Sequence, residues 1–186
     1  MVLEAYYDLV RRLVEGFEGA GVDYVFTGAL AVSFYGVPRT TVDVDVVVAV
    51  AEVKQRVRLV EALKKAGLVV DEREIDRALE SGYKIATFKD SKTAYSVDVI
   101  FSDRKFEKRA GMVAGLPCFY QTPEELILTK LRMIKATVPR ERALKDKEDV
   151  KAILKFTKVN IRIVKEKAKK DDTLAIFGEI MKNEEA

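Results

Sequence analysis

The chain has no histidine, no tryptophan, one cysteine and only four prolines. Without histidine, Ser–His, Cys–His and histidine-base chemistry are excluded. A zinc site, which draws on cysteine and histidine, is nearly excluded as well. A single cysteine rules out an intrachain disulfide, and Cys118 reads as a structural thiol in a strand. No apolar run approaches the roughly 20 residues that span a bilayer. The first residues carry Glu4, Asp8, Arg11, Arg12 and Glu15, so the N-terminus reads as an amphipathic helix and not as a signal peptide. The expectation is a soluble cytoplasmic protein that does not meet a membrane. Any catalysis must run on carboxylates, lysine, arginine, hydroxyls or a hard metal held by oxygen.

The 186 residues, 48% apolar and 34% charged, suit one domain or one domain with a helical extension. The many Lys and Glu residues hint at a thermophile. Net charge is +3, unevenly spread: residues 121–170 hold 15 Lys/Arg against 7 Asp/Glu, and residues 171–186 hold 1 against 5. The basic segment reads either as a face for a polyanion or as a solvated helical surface.

Hydrophobic periodicity predicts a helix over Leu3–Phe17, with Leu3, Tyr6, Tyr7, Val10, Leu13, Val14 and Phe17 on one stripe. A short strand follows at Tyr24–Phe26, then a helix over Gly28–Tyr35 and a strand over Thr41–Val50. A second amphipathic helix covers Glu52–Ala66, with Val53, Val57, Val60 and Leu63 inward and Leu59 off the stripe. Leu68–Val70 reads as a strand and Ile75–Leu79 as a helical turn. Tyr83–Phe88 and Ala94–Phe101 read as a hairpin. Asp103–Arg109 reads as a short helix, and Gly111–Tyr120 shows strand signals around a Gly115-Leu116-Pro117 turn. Thr122-Pro123-Glu124-Glu125 is a strong helix start, running to about Ala136. Helices over Leu144–Phe156, Ile161–Lys169 and Asp172–Lys182 complete the chain.

Asp43 and Asp45 stand among valines on one strand. Side chains alternate across a strand, so both carboxylates share a face while Val42, Val44, Val46 and Val48 share the other, the core face. Paired carboxylates repel unless a cation sits between them. Oxygen ligands at this spacing suit Mg²⁺, which takes one or two carboxylates plus substrate phosphates; a solvent-facing edge strand would carry the same pattern. Asp98, in Tyr95-Ser96-Val97-Asp98-Val99-Ile100-Phe101, lies opposite Tyr95, Val97, Val99 and Phe101. Were its strand beside the Asp43/Asp45 strand, three carboxylates would converge on one face. They could hold two Mg²⁺ ions, or Mn²⁺, and Asp98 could draw a proton from an attacking hydroxyl. Upstream, Gly28 and Ala29 open a helix directly at a strand end. The unpaired N–H groups and dipole of a helix start favour phosphate there.

Thr27-Gly28-Ala29-Leu30-Ala31, then Tyr35-Gly36-Val37-Pro38-Arg39-Thr40-Thr41-Val42-Asp43-Val44-Asp45, resembles the nucleotidyltransferase superfamily typified by DNA polymerase β. It is most similar to the branch of small AbiE-type toxin proteins. Thr122-Pro123-Glu124-Glu125-Leu126-Ile127-Leu128, Lys130-Leu131, Lys145-Asp146 and Asp149 also resemble that branch, so the likeness covers roughly residues 23–155. One departure is Ala29, where the family has Gly or Ser; a serine hydroxyl is lost and the backbone role stays.

The resemblance implies a mixed α/β (α+β) fold, a small mixed sheet flanked by helices. The shift from mixed α and β elements to helices near residue 121, with no linker there, places a nucleotidyltransferase-like core at 1–120 and a helical C-terminal part at 121–186 packed on that core. The resemblance implies transfer of a nucleoside monophosphate from an NTP to a hydroxyl on RNA, such as a tRNA end, or on protein. An antitoxin partner protein goes with the toxin likeness. Thr27, Gly28, Ala29 and Arg39 would contact the nucleotide. A non-catalytic nucleotide-binding or toxin–antitoxin interaction protein on the same fold is the alternative.

In the helical part, Leu126, Ile127, Leu131, Met133 and Ile134 form an apolar face at 100° per residue, with Lys130 near its middle. A buried ammonium requires an anionic partner. Across Leu144–Phe156, the face of Val150, Ile153 and Leu154 includes Asp146, with Asp149 at its margin. Lys130 therefore either pairs with Asp146 to lock two helices, or faces a triphosphate with Asp146 and Asp149 orienting it. Arg39, four residues before Asp43, could pair with Asp43 or Asp45 or touch the nucleotide.

Overall fold

The computed structural model describes residues 2–36, 38–39, 41–103, 105–139 and 143–182. Those residues form eight helices and one seven-stranded mixed sheet. In chain order they are α1 (Val2–Ala20), β1 (Tyr24–Phe26), α2 (Gly28–Tyr35), β2 (Asp43–Ala49), α3 (Val53–Lys65), β3 (Leu68–Val69), α4 (Glu72–Glu80), β4 (Ile85–Asp90), β5 (Ser96–Ser102), β6 (Lys108–Val113), β7 (Leu116–Gln121), α5 (Pro123–Ala136), α6 (Leu144–Phe156), α7 (Ile161–Lys170) and α8 (Leu174–Lys182). No helix among the described residues is long and apolar enough to cross a membrane. The chain divides into two compact units, Met1–Leu30 with Thr40–Gln121, and Ala31–Arg39 with Thr122–Ala186. The division falls inside α2.

The first unit carries the sheet, in the order β3-β4-β5-β2-β1-β7-β6. β2 runs antiparallel to β1 and parallel to β5. Alternation on β2 buries Val44, Val46 and Val48 completely, and β5 buries Val97 and Val99 in the same way. With Leu9, Leu13 and Phe17 of α1 and Leu59 and Leu63 of α3, these residues make the core of the unit. α1 and α3 pack so closely that a Cβ on Gly16 would lie 2.7 Å from the Ala62 carbonyl oxygen.

Several expectations are corrected. The buried stripe of α1 includes Leu9, while Tyr7 is exposed; the Leu3 side chain lies outside the described residues. On α3, Val53 and Val57 are exposed and Leu59 is fully buried. The inward face starts a turn later than the valine spacing suggests, because the Gly16–Ala62 contact sets which side meets α1. Val42 is exposed, since β2 begins only at Asp43. The turn expected at Ile75–Leu79 is the full helix α4, whose N-cap Asp71 accepts a hydrogen bond from the Arg73 N–H at 3.0 Å.

The short helix expected at Asp103–Arg109 does not form over 105–109, where Lys108 and Arg109 open β6; Arg104 lies outside the described residues. Antiparallel pairing with β7 overrides local propensity there, and Lys108 pairs with Asp23 while its ammonium lies 4.7 Å from the Phe119 ring centre. The β6–β7 turn sits at Ala114-Gly115, with φ of 49° and 80°. Both residues are left-handed, as a two-residue type I′ hairpin turn requires.

The helical unit buries Leu126, Ile127, Leu128 and Leu131 of α5 against Val150 and Ile153 of α6, Val164 of α7 and Phe177 of α8. The N-cap hydroxyl of Thr122 accepts from the Glu125 N–H as expected. Met133, placed on the apolar face from the sequence, is exposed, and Leu128 takes the inward position. The segment 31–39 belongs to this unit: the Thr157 hydroxyl donates to the Tyr35 carbonyl at 2.8 Å, and Gly36, at φ 143°, leaves room for Phe156.

In the sheet unit, Arg12 of α1 donates to the Ala66 carbonyl and to Asp90 Oδ1 at 3.0 Å, with the Asp90 side chain fully buried. Burial opposes the Asp90 charge, but the Thr93 hydroxyl and the Arg12 guanidinium outweigh it and hold the carboxyl below its ordinary value. Its contribution to stability is therefore complete above the ordinary carboxylate pKa and is lost as pH falls through the lowered folded value. Arg12→Ala should lower the unfolding free energy by about 3 kcal/mol in urea titration at neutral pH, and the gap from wild type should shrink in strong acid.

Candidate active site

The parallel pairing of β2 with β5 sets the acids in register. Asp43 stands opposite Ser96, and Asp45 opposite Asp98. All three aspartates lie on the half-buried face of their strands, away from the valines. Neighbouring strands lie about 4.8 Å apart, so directly paired carboxylates are close neighbours. The backbone thus delivers the expected three acids to one face.

The side chains are held by hydroxyls. Ser96 Oγ donates to Asp43 Oδ1, and Thr87 Oγ1 of β4 donates to Asp98 Oδ1 at 2.6 Å. Among the described residues neither Asp43 nor Asp98 has a cationic partner. In these rotamers no three carboxylates among the described residues are gathered into a chelating cluster.

β1 delivers the helix start to the same place. The Thr27 N–H donates to the Asp45 carbonyl at 3.0 Å, and the Thr27 hydroxyl donates to Gln121 Oε1 at 2.5 Å. Gly28 follows at φ +57°, where a Cβ would lie 1.9 Å from Asp45 Oδ2. Only glycine lets the first turn of α2 meet that carboxylate. Thr27 and Ala29 are buried, so of the three residues Gly28 alone keeps partial access to solvent.

Sequence reasoning passed over Tyr6. It lies on the buried stripe of α1 and stacks edge-on against Tyr95 at 5.4 Å. Its hydroxyl is buried and makes no hydrogen bond among the described residues. Burial, then the charge of Asp45, then Tyr7 and Asp43, push its ionisation far above the ordinary tyrosine value. A tyrosine on a helical stripe looks like core, and nothing in its local sequence points to the acids.

The helical unit assembles the other predicted residues. Lys130 is buried among leucines, and its ammonium sits 2.8 Å from both Asp146 Oδ1 and Asp149 Oδ2. Arg39 pairs with Asp149, and its N–H is held by Ser33 Oγ at 3.0 Å. The Lys130–Asp146 pairing read from the sequence is present. Asp149, placed at the margin of its face, is the more buried acid, at 5% side-chain exposure against 16% for Asp146, and it bridges two cations.

That bridge sets an order of stability. Asp149→Ala removes the common partner of Arg39 and Lys130 and should cost about 3 kcal/mol or more. Asp146→Ala leaves Lys130 its second carboxylate and should cost about 1 kcal/mol. Urea denaturation of the two variants checks the ranking.

Comparison with known proteins identifies the family and the fold. A family model described as nucleotidyl transferase AbiEii toxin, type IV TA system, matches residues 9–184. Among curated proteins, none matches the chain significantly by sequence. Solved structures match by fold. The solution structure of the antibiotic-resistance factor ANT(2″)-Ia aligns with a TM-score of 0.64 at 13% identity, covering 98% of this chain and 96% of that one. ANT(2″)-Ia in complex with adenylyl-2″-tobramycin gives 0.57 at 13% identity, covering 96% and 98%. An antigenic nucleotidyltransferase-like protein from Paracoccidioides brasiliensis gives 0.57 at 14% identity, covering 80% and 75%. At such identities these likenesses concern the fold alone. The family model spans nearly the whole chain and includes all three aspartates, and the chain belongs to the AbiEii nucleotidyltransferase toxin family of type IV toxin–antitoxin systems.

Proposed function

We propose that this protein moves a nucleoside monophosphate from an NTP to a hydroxyl on RNA or protein, with a divalent metal ion, and acts as a toxin restrained by an antitoxin partner. The observation that carries the reading is the direct register of Asp45 with Asp98 beside Gly28, whose missing side chain lets the helix start meet Asp45. The complex of ANT(2″)-Ia with adenylyl-2″-tobramycin supports adenylyl chemistry on this fold, and the family match supports the toxin role.

The residues suit a hard cation. The donors are carboxylate oxygens, Asp43 and Asp98 have only hydroxyl partners among the described residues, and Gly28 lets the helix start lie against the Asp45 carboxylate. Asp43, Asp45 and Asp98 would hold Mg²⁺ or Mn²⁺, which when bound would neutralise charge on the phosphates. Asp43 and Asp98 would each have to turn from its hydroxyl toward the ion, a rotamer change open to a half-buried side chain.

In the reaction, the acceptor hydroxyl oxygen attacks the α-phosphorus and the new P–O bond forms. The bond from the α-phosphorus to the bridging oxygen breaks, and pyrophosphate leaves with the electron pair. The hydroxyl proton passes to the Asp98 carboxylate. The backbone at Thr27, Gly28 and Ala29 positions the remaining phosphates at the helix N-terminus, with Gly28 the accessible point. Arg39, Lys130, Asp146 and Asp149 serve as the ionic framework of the helical unit.

The hydroxyl-held acids and the absence of a serine hydroxyl at Ala29 favour a second reading, a nucleotide-binding or antitoxin-binding protein without chemistry. Thermal unfolding with each NTP separates the two. The proposal expects at least one NTP to stabilise the protein only when Mg²⁺ is present. It then expects label from an α-phosphate-labelled NTP to enter RNA or protein, falling by at least about a hundredfold in Asp43→Asn. NTP binding without transfer would favour the second reading, and no Mg²⁺-dependent stabilisation would sink the first.

A further inference from the structure

A cavity of about 370 Å³ lies between α1 and the β6–β7 hairpin in the sheet unit. Its wall is mostly carbon, from Val14 of α1, Ala110 of β6, and Leu116, Pro117 and Phe119 of β7. Gly111 stands opposite Cys118 in the register and puts no side chain into that part of the wall. β6 is the edge strand, so the cavity lies at the rim of the sheet.

Polar groups meet this apolar wall at one place. Tyr24 of β1 is 1% exposed, and its hydroxyl is buried without a hydrogen bond of ordinary geometry among the described residues. A buried hydroxyl without a partner is costly, and native structures leave few. Three groups of the cavity wall are near enough to act on its ionisation: the Glu18 carboxylate, the Cys118 thiol and the Phe119 N–H. Burial first, then Glu18 and Cys118, hold it far above the ordinary tyrosine value, so it is a neutral donor and acceptor at physiological pH. Burial likewise pushes the Cys118 thiol up, which keeps it protonated and a poor nucleophile.

Glu15 and Glu18 stand one turn apart on α1, both exposed and both on the cavity wall. Neither has an ion pair among the described residues: Arg11, a turn before Glu15, donates to the Ala114 carbonyl at 3.4 Å, and Lys108, beside the Phe119 ring, pairs with Asp23. Exposed acids without a cation occur elsewhere in this unit, as at Glu61 and Glu80. Here one stands near a buried hydroxyl that has no partner, at the edge of an apolar cavity. The carbon wall suits an apolar body. The carboxylates suit a cation, and a neutral phenol accepts from an ammonium while donating to a carboxylate. An anion would be repelled by Glu15 and Glu18, and a neutral ligand would gain nothing from their charge.

We propose that the cavity between α1 and the β6–β7 hairpin binds a small amphipathic amine, its aromatic or aliphatic body against Val14, Leu116 and Phe119 and its ammonium between Glu18 and the Tyr24 hydroxyl, with Glu15 at the entrance. The inference does not depend on the transfer reading, since the cavity shares no residue with the acids at the β2–β5 seam.

The test uses the whole protein and three probes of similar shape, 2-phenylethylamine, 2-phenylethanol and 3-phenylpropionate, titrated by amide NMR. The amine should bind with a dissociation constant below about 1 mM and shift the amides of residues 14–18 and 110–119. The alcohol should bind about tenfold more weakly, and the carboxylate not at all. Tyr24→Phe should weaken the amine about fivefold without lowering the unfolding temperature of the free protein, because the hydroxyl it removes has no partner; a hydroxyl that served only the core would leave amine affinity unchanged. Glu18→Gln should weaken it about tenfold, and Ala110→Trp, at an exposed position, should fill the cavity and abolish binding. Asp43→Asn should leave amine affinity as it is. Failure of the amine to bind, equal binding of the carboxylate, shifts centred on the β2–β5 acids, or unchanged affinity in both Tyr24→Phe and Glu18→Gln overturns the proposal. So does a dimer that Ala110→Trp dissociates, which would give the cavity to a second copy of the chain.

Discussion

The parallel pairing of β2 with β5 is the constraint on which the candidate site depends. These strands are far apart in sequence, and neither alone is remarkable: each alternates buried valines with polar residues. Pairing in this register brings Asp45 beside Asp98 and Asp43 beside Ser96. A slip of one residue would turn the acids into the core and the valines to solvent, at the cost of the whole valine face. The burial of Val44, Val46, Val97 and Val99 therefore secures the register on which the candidate site rests. β1 adds the last piece by ending against Asp45, where Gly28 starts α2 at a left-handed φ that a side chain would obstruct.

Much of this was legible in the chain. Strand alternation placed Asp43, Asp45 and Asp98 on outward faces, and Gly28 at a strand end marked the helix start. The Thr122-Pro123 cap and the lysine centred on an apolar stripe foretold α5 and the ion pair to Asp146. What failed had a tertiary cause. Leu59 is buried in place of Val53 because a glycine on α1 admits the Ala62 backbone. Residues 108–109 form a strand because β7 offers them a partner. Asp149 bridges two cations because residues 31–39 fold with the helical unit, bringing in Arg39, which no spacing along α6 could reveal. Tyr6 was missed for the same reason: what surrounds its hydroxyl is set by the fold, not by its place in a stripe.

The two units are held by different physics. The sheet unit relies on alternation and on the buried ion pair Arg12–Asp90, which joins α1 to the end of β4. The helical unit carries a denser ionic core, with Arg39, Lys130, Asp146 and Asp149 packed among leucines and valines. Buried ionic networks add little net stability but are costly to break at one member. They also leave the basic character of residues 121–170 in surface lysines and arginines, since the buried pair of Lys130 is already neutralised.

The account turns on the claim that the acids at the β2–β5 seam are a divalent-metal site once their side chains leave Ser96 and Thr87. Mn²⁺ has a paramagnetic signal that broadens when the ion is bound, so its affinity can be read directly by electron paramagnetic resonance, without any assumption about the acceptor. With a non-hydrolysable NTP analogue present, the wild type should bind Mn²⁺, and Asp43→Asn with Asp45→Asn should weaken it by at least about a hundredfold, the upper end of what losing an outer-shell partner costs. Equal Mn²⁺ affinity in the two proteins would contradict the account.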